Sequence, residues 1–150
     1  MLSGDEVGNS MTDMDEAREL YNRYAVNWDE DRPQDVATCF TPDAVFQKHS
    51  HSALIGSGLD VWLTQHGVRR VIVCGIRSEQ CCETTTRHAS DLGYQVDYVT
   101  DATLTFPMTD RHGKEWTPEE IKARTELVLD GRFARIATVE EALATPCHNL

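Results

Sequence analysis

Apolar positions along this chain follow two periods, and the changes of period mark its elements. From Asp13 to Asp29, Ala17, Leu20, Tyr21, Tyr24, Ala25 and Trp28 recur at spacings of three and four, which predicts a helix with one apolar face. "DEDRPQD" reads as a turn, and "PQDVATCF" as a second short helix with Pro33 in its first turn. "TPDAVFQKH" reads as a turn into a strand at about Phe46–His49. "GLDVWLTQHG" is a helix closed by Gly67. "RRVIVCGI" is an almost unbroken apolar run, the pattern of a parallel strand covered on both faces. "SEQCCETTTRHASDLG" predicts a helix with Ser78 as N-cap and Gly93 as C-cap, and "YQVDYVTDA" the next strand. "TPEEIKARTELVLDGRF" is a helix in which Thr117, Pro118 and Glu120 form a start signal. "ARIATVEEAL" supplies a last short strand and a closing turn of helix.

Strands alternating with helices predict an α/β fold. The expected form is a three-layer, Rossmann-like partial sheet of three to four parallel strands, with a helical extension at the N-terminus. The polar, acidic residues 1–12 are expected to be disordered. Residues 13–45 form the helical segment and 46–150 the α/β unit.

Composition narrows the function classes. The chain has 150 residues and a net charge of −11. That charge repels nucleic acid and anionic membranes, so neither is an expected partner. No run of 18 apolar residues occurs, and the acidic start does not read as a signal peptide. The five cysteines show no CxxC spacing. A reducing, cytoplasmic setting is the expectation. His49 and His51 lack partners at metal-ligand spacing, so no metal and no cofactor are expected.

The chemistry concentrates after the apolar run. Reactive groups collect at the carboxyl ends of parallel strands. Cys81 falls there, in the first turn of the predicted helix. Unpaired N–H groups and the helix dipole stabilise an anion at that place, and a thiol so placed ionises more readily than an ordinary one. The plainer reading is packing, since buried cysteine is a good small hydrophobe. Cys39 and Cys74 read as core. Cys82 shares a helical face with Thr85, Thr86 and Ala89 and reads as packing too.

Three stretches resemble the C-terminal half of an isochorismatase-like cysteine hydrolase, over about residues 46–143. They are "FQKHSHSALIGSGLDVWLTQHGVRRVIV", "CGIRSEQCCETTTRHASDLGYQV" and "VTDATLTF". The resemblance implies that Cys81 is the nucleophile and Lys48 the catalytic lysine. It implies a cis bond between Ile76 and Arg77, with the N–H groups of Arg77 and Cys81 binding the oxyanion. His49, His51 and Ser52 are candidate pocket residues. Asp101 matches an aspartate read as structural at the sheet edge. The family's base aspartate, in an "IDxQ"-type motif, has no counterpart before Lys48. Asp43 is the nearby acid that might replace it, although "TPDA" reads as a turn.

"DEARELYNRYAVNWDEDRPQDVATCFTPDAVF" resembles instead the opening of an NTF2-like (SnoaL-like) domain. The chain thus reads as a join of two fragments at about Val45 to Lys48. The expectation is a hydrolase acting on a small-molecule amide or related bond, impaired by the absent aspartate. The alternatives are a non-catalytic, oligomerising half-domain and an NTF2-like ligand-binding module. An apolar strand left without a neighbour invites pairing, so a homo-oligomer is expected.

Overall fold

The computed structural model describes residues 46–144, and the chain divides between Val45 and Phe46. Expectations on residues 1–45, Cys39 and Asp43 among them, lie outside the described residues. In order, the elements are α1 (Leu59–Gln65), β1 (Arg70–Ile76), one π-helical turn (Ser78–Cys82) and α2 (Glu83–Asp91). They continue with β2 (Gln95–Leu104), β3 (Met108–Thr109), β4 (Glu115–Trp116), α3 (Pro118–Leu129), β5 (Arg135–Ala137) and α4 (Val139–Ala144).

The sheet has the order β1-β2-β5, with both pairs parallel. This is the α/β architecture that the alternating pattern predicts. Central β2 is buried on both faces through Val96, Asp97, Tyr98 and Val99. β1 is not. Val73 is 8% exposed, but Ile72 is 42% exposed and Cys74 also faces outward. Among the described residues, the expectation that Cys74 is core, on a strand covered on both faces, is therefore corrected: its side chain is exposed, although the protein around it still raises the pKa of its thiol. An apolar run shows that a strand is apolar, not that both its faces are covered.

Helix ends follow local chemistry. Thr117 Oγ1 accepts the N–H of Glu120 at 3.2 Å, and Glu120 Oε2 accepts that of Thr117 at 2.9 Å. Pro118 fills the first position of α3. This capping box satisfies two N–H groups that the helix itself cannot. Gly93, at φ 89°, ends α2 in the left-handed region that glycine enters without a Cβ clash.

Two further expectations are corrected. Phe46–His49 forms no strand. A strand exists through its ladder, and Phe46 instead sets its ring edge-on against Trp62 at 6.2 Å. Ser78 does not cap α2. It lies inside the π turn, and its hydroxyl turns toward the sheet. One feature escaped the hydrophobic pattern. β3 and β4 form a short antiparallel hairpin, closed by Asp110 Oδ1, which accepts the N–H groups of His112 at 2.8 Å and Lys114 at 3.0 Å.

Asp97 ties the amino ends of β1, β2 and β5 together. Its carboxylate accepts hydrogen bonds from Arg135, both at 2.9 Å, and from Arg70. Arg135 first, then Arg70, holds this carboxyl below the usual carboxylate range against the opposing effect of burial.

Candidate active site

At the opposite, carboxyl end of the sheet, β1 runs into the π turn through Gly75, at φ 117°, and a cis peptide bond between Ile76 and Arg77. Polar side chains fasten this turn to β2. Ser78 Oγ donates to Thr103 Oγ1 at 2.8 Å and approaches the carbonyl of Leu104 at 3.2 Å. Tyr98 Oη donates to the carbonyl of Ser78 at 3.2 Å, and burial raises the pKa of that phenol, so it remains a donor. Thr105 Oγ1 donates to Glu79 Oε2 at 2.6 Å. Backbone bonds close the turn, with the N–H groups of Gln80 and Cys82 donating to the carbonyl of Arg77 at 3.2 and 3.1 Å.

Register makes these contacts possible. β1 advances two residues, from Val73 to Gly75, while β2 advances five, from Tyr98 to Thr103. The bulge brings Thr103 and Thr105 level with Ser78 and Glu79. Asp101 sits in it, on the central strand rather than at the sheet edge. It accepts the N–H of Val139 at 3.4 Å, a structural contact to the start of α4.

The two neighbouring cysteines differ sharply. Cys81 is partly exposed. Lys48 Nζ lies 3.4 Å from its sulfur and donates also to the carbonyl of Ser50 at 3.0 Å. Cys82 is 4% exposed and belongs to the core with Val73, Ala89 and Tyr98. Burial above all, then its neighbours Cys74, Cys81 and Glu79, pushes its thiol up to about 12. Chemically, Cys81 is an accessible sulfur beside an ammonium, and Cys82 is an apolar filler.

The candidate pocket residues separate. His49 and His51 are exposed. Ser52 is 1% exposed, and its hydroxyl meets His88 Nδ1 at 2.9 Å on α2. Sequence reasoning gave Thr85 only a packing role and passed over His88; their spacing of four and seven residues from Cys81 was the available signal. Arg77 places its guanidinium 5.0 Å from the centre of the Phe106 ring. A cavity of about 430 Å³ lies beside the turn, with Glu79, Met108, Trp116 and Ile121 in its wall; neither Cys81 nor Lys48 lines it. Among the described residues, no three His, Cys, Asp or Glu side chains group as metal ligands. No helix among them is long and apolar enough to cross a membrane.

Comparison with known proteins bears on the family and the fold. The isochorismatase domain model matches residues 14–131, so it takes in the whole stretch quoted for the NTF2-like resemblance. Nicotinamidase 3 of Arabidopsis thaliana is 43% identical over 65 residues, 43% of this chain and 33% of that protein. An uncharacterized isochorismatase family protein of Bacillus subtilis is 38% identical over 101 residues, 67% of this chain and 48% of that protein. The chain thus spans half or less of the length of these two curated relatives. The crystal structure of an isochorismatase from Pseudomonas putida superposes with a TM-score of 0.64 at 25% identity, over 89% of this chain and 81% of the other. The chain belongs to the isochorismatase family.

Proposed function

We propose that this chain carries the nucleophilic half of a cysteine hydrolase acting on the C–N amide bond of a small molecule. The observation that carries the proposal is the 3.4 Å approach of Lys48 Nζ to Cys81 Sγ at the carboxyl end of a parallel sheet. A cation beside a sulfur favours the thiolate, which is the nucleophile. The thiolate adds to the amide carbonyl carbon, and the carbonyl electron pair moves to oxygen. The N–H groups of Arg77 and Cys81 are the proposed donors to that oxyanion. The C–N bond then breaks, and the leaving nitrogen takes a proton. Water attacks the thioester, releasing a carboxylic acid and restoring the thiol.

The nicotinamidase among the relatives makes an aromatic carboxamide the first substrate to test. Proton transfer is the weak point. No "IDxQ"-type stretch stands before Lys48, and we infer from this that the base is missing. Losing a positioned general base costs about 10²–10⁴-fold in rate. The chain should therefore release ammonia from nicotinamide or a carbamoyl amide about 10²–10⁴-fold more slowly than a complete family amidase. Ammonia assays on the purified chain and on Cys81→Ala test this. Residual turnover should vanish in the variant; turnover equal in both would end the assignment.

A further inference from the structure

Lys48 reaches Cys81 from a loop without regular structure, so something must set its position. Lys48, His51, Ser52 and Ala53 lie along the stripe of the nucleophile helix that carries Cys81, Thr85 and His88. Thr85 Oγ1 accepts the N–H of Ala53 at 3.0 Å and points its own hydrogen toward the carbonyl of His51 at 3.5 Å. His88 Nδ1 meets Ser52 Oγ at 2.9 Å. That same oxygen accepts the N–H of Leu54 at 3.2 Å. Ser50 Oγ donates to the carbonyl of Ser52 at 2.8 Å, so the residue whose carbonyl steadies Lys48 is itself tied to the anchored part of the loop. Leu54, at the far end, is in the core.

We propose that Thr85 and His88 are positioning residues, which fix the loop on the helix and thereby fix the reach of Lys48 to Cys81. The inference rests on the assignment of Cys81 and Lys48 above. Neither residue is placed in contact with the sulfur. Each holds a polar group of the loop whose loss would be felt. Ser52 is 1% exposed, so water cannot replace the bond to His88. An Ala53 N–H deprived of Thr85 loses its partner in a part-buried place. Small displacements matter here, because a hydrogen bond from Nζ to Sγ, at 3.4 Å, depends on distance and angle far more steeply than the charge attraction does.

The test is the rate of Cys81 alkylation by iodoacetamide near neutral pH, read by mass spectrometry on the full chain. Lys48→Met should slow it about tenfold. Thr85→Val and His88→Ala should each slow it by a factor of about 3–10, with Thr85→Ser and His88→Asn restoring most of the rate. The decisive arm is the pairing. If the two residues act through Lys48, adding either to Lys48→Met slows the reaction no further, because effects through one shared contact do not add. Slowing that adds in full, or unchanged rates in Thr85→Val and His88→Ala, overturns the inference while leaving Lys48 in its role. An unchanged rate in Lys48→Met overturns that role and, with it, the inference. Circular dichroism identifies a variant that has not folded; if that is Thr85→Val, the two His88 variants decide.

Discussion

The turn that carries Cys81 hangs from the sheet, and the loop that carries Lys48 hangs from a helix. The turn is held by Ser78, Tyr98, Thr103 and Thr105, of which Ser78, Tyr98 and Thr103 have no solvent exposure. The loop is held through Ser50, Ser52, Ala53 and Leu54, and Lys48 itself is exposed. The difference separates the tasks of the site. The sulfur is placed by the packed interior, so its position is as durable as the fold. The ammonium is placed by a few hydroxyl and imidazole contacts, so its position can be lost while the fold remains.

The largest expected effect lies within the turn. Cys81→Ser should slow fast alkylation near neutral pH by about 10²-fold or more, whereas Cys82→Ser should leave it nearly intact. A kinetic labelling experiment with site-resolved detection checks this. The opposite outcome would remove the contrast between an accessible and a packed thiol.

The next effect strikes turn and loop together. Asp97→Ala removes the carboxylate that accepts from both Arg70 and Arg135 and should destabilise the chain by about 3–5 kcal/mol. Its acid behaviour has a definite sign. Arg135 and Arg70 hold the folded pKa of Asp97 below its ordinary value. The stability it contributes is therefore complete above the unfolded value of about 3.9 and is lost as pH falls through the folded one. Urea titrations should show that acid-sensitive component in the unmodified chain and lack it in Asp97→Asn.

Smaller effects separate the two regions. Ser78→Ala leaves a buried threonine hydroxyl with one partner fewer and should cost about 1–3 kcal/mol in urea unfolding. Tyr98→Phe removes a single hydrogen bond to the carbonyl of Ser78 and should cost about 1 kcal/mol. Alkylation of Cys81 should slow in both, since each frees the turn. Unchanged alkylation in Ser78→Ala would show that the backbone alone sets the sulfur's place.

The sequence made some of this legible and hid the rest for physical reasons. The capping box of Thr117 and Glu120 depends on residues three apart, so both the signal and the structure are local. The strands Arg70–Ile76 and Gln95–Leu104 declare themselves by apolar content. What covers Ile72 and Cys74 is a long-range property, and the apolar run misled there. Ser78 has the residue type of an N-cap, and its local preference yields to a bond with Thr103, 25 residues away. The place of Cys81 at the start of a predicted helix marked it as a candidate, but only family resemblance singled out Lys48, because 33 residues separate the two and no local pattern links them. Thr85 and His88 stayed hidden for a related reason. Thr85 reads as part of a packing face beside Cys82, and neither side chain shows a task until the loop laid over the helix is known.

The unequal step between Val73–Gly75 and Tyr98–Thr103 has an evolutionary consequence. Residues before the step pair with β1 and β5 and build the core; residues after it hold the nucleophile turn. A codon gained or lost within Thr100–Ala102 would leave the first group in register and shift the second by one residue. Since neighbouring strand residues face opposite ways, Thr103 and Thr105 would then turn away from Ser78 and Glu79. Lineages that differ in length at this point should keep the same core and diverge in the reactivity of their cysteine.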